Sequence, residues 1–281
     1  MRNYAVIGDP VEHSRSPGMQ NAAFEFHHLG SPYVKYHVRP AELGDFVEFA
    51  KRQLAGFNCT VPHKAAIIPF LDEVDPDALA AQSVNTVTVD ENGRLSGTST
   101  DGYGLETALR ENFGKDVEGA EFCFIGCGGA AHATAFHLAR RGAKTIRIAN
   151  RTIEKAEELA EKLSKCFPSL ELDTASPRDN GTLSDWFART NFLIQATSLG
   201  LKFADPPPFD LELLTPDLKL AVFDTIYLDT PLLKRAKELG LPAAGGSAML
   251  LYQGAKSFEI WTGLPAPIEE MRAGMEGKPS C

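Results

Sequence analysis

The stretch from Glu121 to Thr152, EFCFIGCGGAAHATAFHLARRGAKTIRIANRT, constrains the fold more than any other part of the chain. An apolar run over 121–126 ends in Gly126-Cys127-Gly128-Gly129-Ala130-Ala131. A small-residue helical stretch follows over 129–141, and TIRIA reads as the next strand. Strand, glycine-rich turn, helix and strand in that order make the βαβ unit of a dinucleotide-binding fold. Glycines let the backbone approach a pyrophosphate, and the helix N-terminus offers it unpaired N–H groups. The spacing is a variant of G-x-G-x-x-G, with Ala131 where a third glycine stands in the usual form. A tight turn that holds no ligand is the alternative. Cys127 reads as a small side chain filling the turn, and His132 and His137 lie too far apart in helical register to share a metal.

The tip of the second strand narrows the choice of cofactor. Asn150 lies 24 positions after Gly126, close to where NAD-selective folds place an acid on the ribose hydroxyl, yet the chain offers Asn150, Arg151 and Thr152. Arg151 can give a charge-assisted pair to a 2′-phosphate, and Asn150 and Thr152 can add neutral hydrogen bonds. NADP is therefore favoured over NAD. Thr152 is also placed to cap a helix beginning at Ile153, a role compatible with the first.

With 281 residues the chain has room for two ordinary domains. Before the glycine-rich turn, the short runs YAVIG, YVKYHV and AGFNCTV alternate with helix-like stretches. One of these spans 40–52, with Leu43, Phe46, Val47 and Ala50 at helical spacing. After it come a charged helix at 153–165 and strands at 191–195 and 220–224. The stretches 166–183 and 202–218 read as connections. This order predicts an α/β fold.

No apolar run is long enough to span a membrane, and the N-terminal apolar stretch is too brief for a signal peptide. Five cysteines without a C-x-x-C pair argue against a disulfide framework and a zinc site, so the expectation is a cytoplasmic protein with reduced thiols and no metal. A formal net charge of −9 disfavours nucleic acid and anionic membranes as partners.

Polar residues cluster in the first hundred positions. Ser14 and Ser16 stand two apart just before a predicted helix, with Pro17 suited to its first position and Ser16 to its cap. Such a terminus can cradle a carboxylate, or it can be an ordinary capped helix, and the residues alone leave both open. Asn58-Cys59-Thr60-Val61-Pro62-His63-Lys64 puts an amide, a hydroxyl and an ammonium at one strand-to-helix junction, with Pro62 opening the helix. Asn85 and Asp101 add an amide and a carboxylate. Gln253 falls on or near the apolar face of a closing helix, where a polar residue faces a ligand or satisfies buried backbone.

Taken in order, HSRSP, NCTVPHK, SVNT, STDGYG, GCGGAA, NRT, ATSLG, the Asp224–Tyr227 turn and GGSAMLLYQG resemble the shikimate dehydrogenase family, quinate/shikimate dehydrogenases included, over nearly the whole chain. The resemblance implies an NADP-dependent oxidoreductase interconverting 3-dehydroshikimate and shikimate, in aromatic amino acid biosynthesis. It implies an N-terminal α/β substrate domain (1–102), a Rossmann-type cofactor domain (103–247), a cleft between them, and a C-terminal segment (248–281) returning to the first. Lys64 and Asp101 match the family's catalytic pair. Ser14 and Ser16 would hold the substrate carboxylate, with Tyr227 assisting, and Thr60, Asn85 and Gln253 would bind carboxylate or ring hydroxyls. Gly126, Gly128, Gly129 and Ala130 would take the pyrophosphate. Asn150, Arg151 and Thr152 would take the adenosine phosphate, and Thr197 with the 245–249 loop, Gly246 and Met249 included, would flank the nicotinamide.

Ser99, Cys127 and His63 depart from the family's usual Asn, Ala and aromatic residue, and Leu228-Asp229-Thr230-Pro231 lacks the first proline usual after the tyrosine. None of these removes a named catalytic group. A paralogue acting on quinate or an amino-shikimate is the alternative within the class, and a non-catalytic ligand-binding regulator of the same fold the alternative outside it. The partners expected are small molecules, with the chain a monomer or homodimer.

Overall fold

A computed structural model of the chain describes residues 2–202 and 204–277. The chain divides into two units, 1–104 with 250–281 and 105–249. Residues 278–281, the end of the expected returning segment, lie outside the described residues.

The first unit runs β1 (Asn3–Gly8), α1 (Ser16–Phe26), β2 (Tyr33–His37), α2 (Leu43–Gln53), β3 (Leu54–Cys59), α3 (His63–Ala66), β4 (Glu73–Val74), α4 (Pro76–Ala80), β5 (Thr86–Val89) and β6 (Leu95–Thr98). The chain leaves it within α5 (Asp101–Phe113). Helix α2 buries Leu43, Phe46, Val47 and Ala50, the four apolar positions set at helical spacing. The sheet order is β2-β1-β3-β5-β6-β4. Strands β1, β2 and β3 are parallel, while β5 is antiparallel to both β3 and β6.

That mixed pairing places the polar residues. Because β5 runs against its neighbours, it begins where β3 and β6 end: Asn58 is in register with Thr86, and Thr86 with Thr98. Residues just past the ends of β3 and β6 therefore meet the residue just before β5 at one edge of the sheet.

The second unit continues with β7 (Glu121–Ile125), α6 (Gly129–Arg140), β8 (Thr145–Ala149), α7 (Ile153–Cys166), β9 (Glu171–Ala175), α8 (Asn180–Phe187), β10 (Phe192–Gln195), β11 (Ala221–Asp224), α9 (Pro231–Glu238) and β12 (Ala243–Gly245). Helix α10 (Ser247–Thr262) then leads back to the first unit, which α11 (Ile268–Met275) closes by packing on α1. The second sheet is parallel throughout, in the order β12-β11-β10-β7-β8-β9. Its strands are nearly continuous apolar runs, as burial on both faces demands. Strand order reverses between β7 and β10, the switch point at which open α/β sheets bind ligands.

Two elements lie where connections were expected over 166–183. Strand β9, ELDTA, is an edge strand whose exposed positions carry charge, and α8 begins where Asp179 accepts from the Thr182 N–H. Among the described residues, no helix is long and apolar enough to cross a membrane.

Candidate active site

In the first unit, the strand edge described above gathers Lys64, Asn85, Asp101 and Gln253. Lys64 Nζ lies 2.5 Å from Asp101 Oδ2, with side chains 16% and 6% exposed. Asn85 Nδ2 donates to Asp101 Oδ1 (2.9 Å) and reaches Thr100 Oγ1 (3.0 Å) and Gln253 Oε1 (3.2 Å). Both carboxylate oxygens are therefore engaged, one by a cation and one by a neutral amide. The backbone beneath the ammonium is held as well, because the Lys64 carbonyl accepts from the Val84 N–H at 2.8 Å.

A second layer lies beneath. Asn58, buried at 7% exposure, donates through Nδ2 towards Asn85 O (3.0 Å), Thr86 Oγ1 (3.1 Å) and Ser257 Oγ (3.1 Å), and its Oδ1 accepts from the Tyr33 hydroxyl at 2.7 Å. The Asn85 side-chain oxygen accepts from the Thr100 N–H (2.9 Å) and from the Thr86 hydroxyl (2.8 Å). Buried polar groups are tolerated where they are paired in this way, and a satisfied network fixes one geometry. Asn58 stood in the sequence as one amide of a polar cluster, but its central place arises from contacts with residues 25 to 199 positions away.

Ser14 and Ser16 differ in detail from the expectation. Helix α1 starts at Ser16 itself, with Arg15 in the cap position and Pro17 in the first turn. The Ser16 N–H is instead met by Ser14 Oγ at 3.3 Å. Likewise α3 starts at His63 with Pro62 at its cap position, one residue later than the proline suggested. Thr60 is half-buried at the end of β3, its N–H given to Ile7 O at 2.9 Å.

In the second unit, Gly126 has φ +102°, and a Cβ there would stand 2.5 Å from Thr197 Cγ2. The turns after β7 and β10 thus touch at the switch point, and only glycine permits it. Gly128 and Gly129 are exposed at the start of α6, and a Cβ on Gly128 would meet nothing within 4 Å. That open space lies over a helix N-terminus no side chain caps, which fits a pyrophosphate. Thr152 occupies the cap position of α7 but makes no side-chain capping bond, contrary to the capping role expected of it. Asn150 Nδ2 donates to Thr152 O at 2.7 Å, folding the tip of β8 over, and Arg151 is exposed. Among the described residues no hydrogen bond or ion pair engages the Arg151 guanidinium, so the donors suited to a 2′-phosphate are available. These residues fit NADP.

Tyr227 sits half-buried in the turn after β11, and Gly246 and Met249 follow β12. A Cβ on Gly246 would overlap the Thr225 carbonyl oxygen, so a glycine is required. Asp224, fully buried at the end of β11, accepts from the Ile226 N–H (2.9 Å) and the Thr230 hydroxyl (2.7 Å). Burial pushes its carboxyl up to about 6, against these hydrogen bonds, which pull the other way.

Burial raises the Cys127 thiol above its ordinary value, and its sulfur faces the Lys155 carbonyl at 3.1 Å, an inert setting. His137 pairs with Glu106 at 2.7 Å. Among the described residues no group of three His, Cys, Asp or Glu side chains could hold a metal.

Fold and site together define a class: a two-unit α/β protein, one unit carrying a Rossmann-type parallel sheet with a glycine-rich turn, the other a buried lysine–aspartate pair. Sequence comparison narrows it. Residues 6–87 match the profile of the shikimate dehydrogenase substrate binding domain, 107–179 that of shikimate/quinate 5-dehydrogenase, and 246–274 that of the shikimate 5′-dehydrogenase C-terminal domain. A shikimate dehydrogenase (NADP+) of Desulforamulus reducens is 42% identical over 275 residues, covering 95% of this chain and 92% of its own. Among solved structures, a shikimate dehydrogenase in complex with NADP+ superposes with a TM-score of 0.87 at 37% identity, covering 100% of this chain and 96% of its own. The Thermus thermophilus enzyme in complex with NADP(H) and shikimate gives 0.86 at 33%, covering 99% of both. The chain belongs to the shikimate dehydrogenase family.

Proposed function

We propose that this chain is an NADP-dependent oxidoreductase that interconverts 3-dehydroshikimate and shikimate, working in the cytoplasm as a monomer or homodimer. The observation that carries the chemistry is the Lys64–Asp101 pair with Asn85 on its free oxygen. When bound, NADP supplies the hydride acceptor for the oxidation and, once reduced, the donor for the reverse.

The first unit's residues supply the rest. Reduction of a ketone leaves charge on its oxygen, and a proton must arrive there. The Lys64 ammonium stabilises that developing alkoxide, and the Lys64–Asp101 pair relays the proton. Asn85 keeps Asp101 aimed by occupying the oxygen that Lys64 does not use. Ser14 and Ser16 take the substrate carboxylate, Thr60, Asn85 and Gln253 take carboxylate or ring hydroxyls, and Tyr227 assists with the carboxylate.

In the second unit, Gly126, Gly128, Gly129 and Ala130 hold the pyrophosphate. Asn150, Arg151 and Thr152 bind the 2′-phosphate, and Thr197, Gly246 and Met249 flank the nicotinamide. Steady-state absorbance at the reduced-nicotinamide band, with shikimate and with quinate against NADP and NAD, tests the reading. The highest kcat/KM is expected for shikimate with NADP; a clear preference for quinate overturns the substrate assignment.

A further inference from the structure

Two fully buried polar side chains end neighbouring strands of the second unit. Gln195 closes β10, Asp224 closes β11, and the two are register partners. A buried carboxylate and a buried amide in an otherwise apolar sheet cost free energy unless each polar atom is used. All of theirs are used, and by loops.

Gln195 Oε1 accepts from the Thr197 N–H, and Nε2 donates to Leu199 O at 2.9 Å, with Asp224 Oδ1 at 3.4 Å. Thr197 Oγ1 accepts in turn from the Leu199 N–H at 3.0 Å, closing the loop on itself. Asp224 Oδ1 accepts from the Ile226 N–H and Oδ2 from the Thr230 hydroxyl, which itself caps α9 by accepting from the Leu233 N–H. The chain of bonds extends to the next loop, since the Ile226 carbonyl accepts from the Gly246 N–H at 3.0 Å.

We infer that Gln195 and Asp224 are positioning residues for the reaction: as one buried unit they fix the three loops that present Thr197, Tyr227 and Gly246. The inference rests on the functional reading above for the roles of those three residues. Thr197 packs on Gly126 in the turn after β7, but none of these hydrogen bonds reaches the tip of β8, so the pair governs the reactive end of the site and leaves Asn150, Arg151 and Thr152 alone.

The test compares wild type with Asp224→Ala, Asp224→Asn and Gln195→Ala. It measures kcat and KM for shikimate, NADPH and NADH affinities by fluorescence titration, melting temperature, and amide exchange by residue. Asp224→Ala is expected to raise KM for shikimate at least tenfold and to speed exchange at Ile226 and Gly246 at least tenfold, with the preference for NADPH over NADH within threefold of wild type. Asp224→Asn keeps an acceptor for Ile226 and is expected to restore most of both. Gln195→Ala is expected to lower kcat at least tenfold and to speed exchange at Thr197 and Leu199, again without loss of the preference for NADPH over NADH.

Unchanged exchange at these amides overturns the inference whatever the substrate proves to be. So does loss of activity accompanied by loss of that preference and a matching fall in melting temperature, which marks a merely structural role. A wild-type enzyme inactive on shikimate sinks the functional reading instead, and the exchange data still decide whether the pair holds the loops.

Discussion

Lys64 and Asp101 lie on different elements, 37 positions apart, and meet at 2.5 Å because β3 and β6 end at the same sheet edge where β5 begins. The oxygen of Asp101 that Lys64 does not engage belongs to Asn85. An ammonium fixed against a carboxylate that is itself fixed can stabilise charge without reorganising during the reaction.

Lys64→Met is accordingly expected to lower kcat for shikimate oxidation by about 10²- to 10⁴-fold, the span typical of removing a general acid–base group. KM for NADP should stay within about twofold, since the residues proposed to hold the cofactor lie in the second unit. Retained turnover in this variant would remove Lys64 from the mechanism.

Arg151 carries the one formal charge among Asn150, Arg151 and Thr152, and no described residue pairs with it. A charge-assisted hydrogen bond contributes about 1.5 to 3 kcal/mol, so Arg151→Ala should raise KM for NADP by about 10- to 100-fold. KM for NAD, which has no 2′-phosphate, should barely move. Equal rises for both cofactors would reduce Arg151 to a solvated side chain.

Asn58→Ala takes from the buried Tyr33 hydroxyl the acceptor it donates to, and removes one of two donors to the Asn85 carbonyl, which keeps the Cys59 N–H. An unsatisfied buried partner costs about 1–3 kcal/mol, and the expected destabilisation in urea unfolding is of that size. kcat should also fall, because Asn85 loses the support that aims Asp101. A stable variant with unaltered kcat would show that the layer is dispensable.

Asp224 gives a pH dependence of defined sign. Its folded pKa, about 6, lies above the ordinary 3.8, so the folded state holds the proton more tightly than the unfolded chain. Its favourable contribution is full below about pH 4 and is lost as pH rises through 6, a change of about 3 kcal/mol at about 1.4 kcal/mol per pH unit. Asp224→Asn lacks this titration. Its stability relative to wild type should therefore rise between pH 4 and pH 7 in chemical denaturation, and a flat difference across that range would contradict the assigned pKa.

Much of this molecule is written locally. EFCFI, the glycine turn, the alanine-rich helix and TIRIA each occupy consecutive residues, so periodicity and turn chemistry sufficed to place them. The absence of an acid at Asn150-Arg151-Thr152 was equally plain, and it pointed to NADP.

The elements missed were short or charged. Strands β5 and β6 have four residues each, and β9 carries acidic residues suited to a sheet edge, so neither length nor pattern announced them. Nor could the chain by itself say that Thr152 leaves its capping bond unmade, or that Arg15 rather than Ser16 precedes α1.

Tertiary structure alone decided how the polar residues are supported. Asn58 on β3 meets Ser257 on α10 across 199 positions, and Gln195 meets Asp224 across 29 through the pairing of β10 with β11. A residue's type states which hydrogen bonds it can make. Only the folded sheet, by excluding water from these side chains, determines which ones it must make.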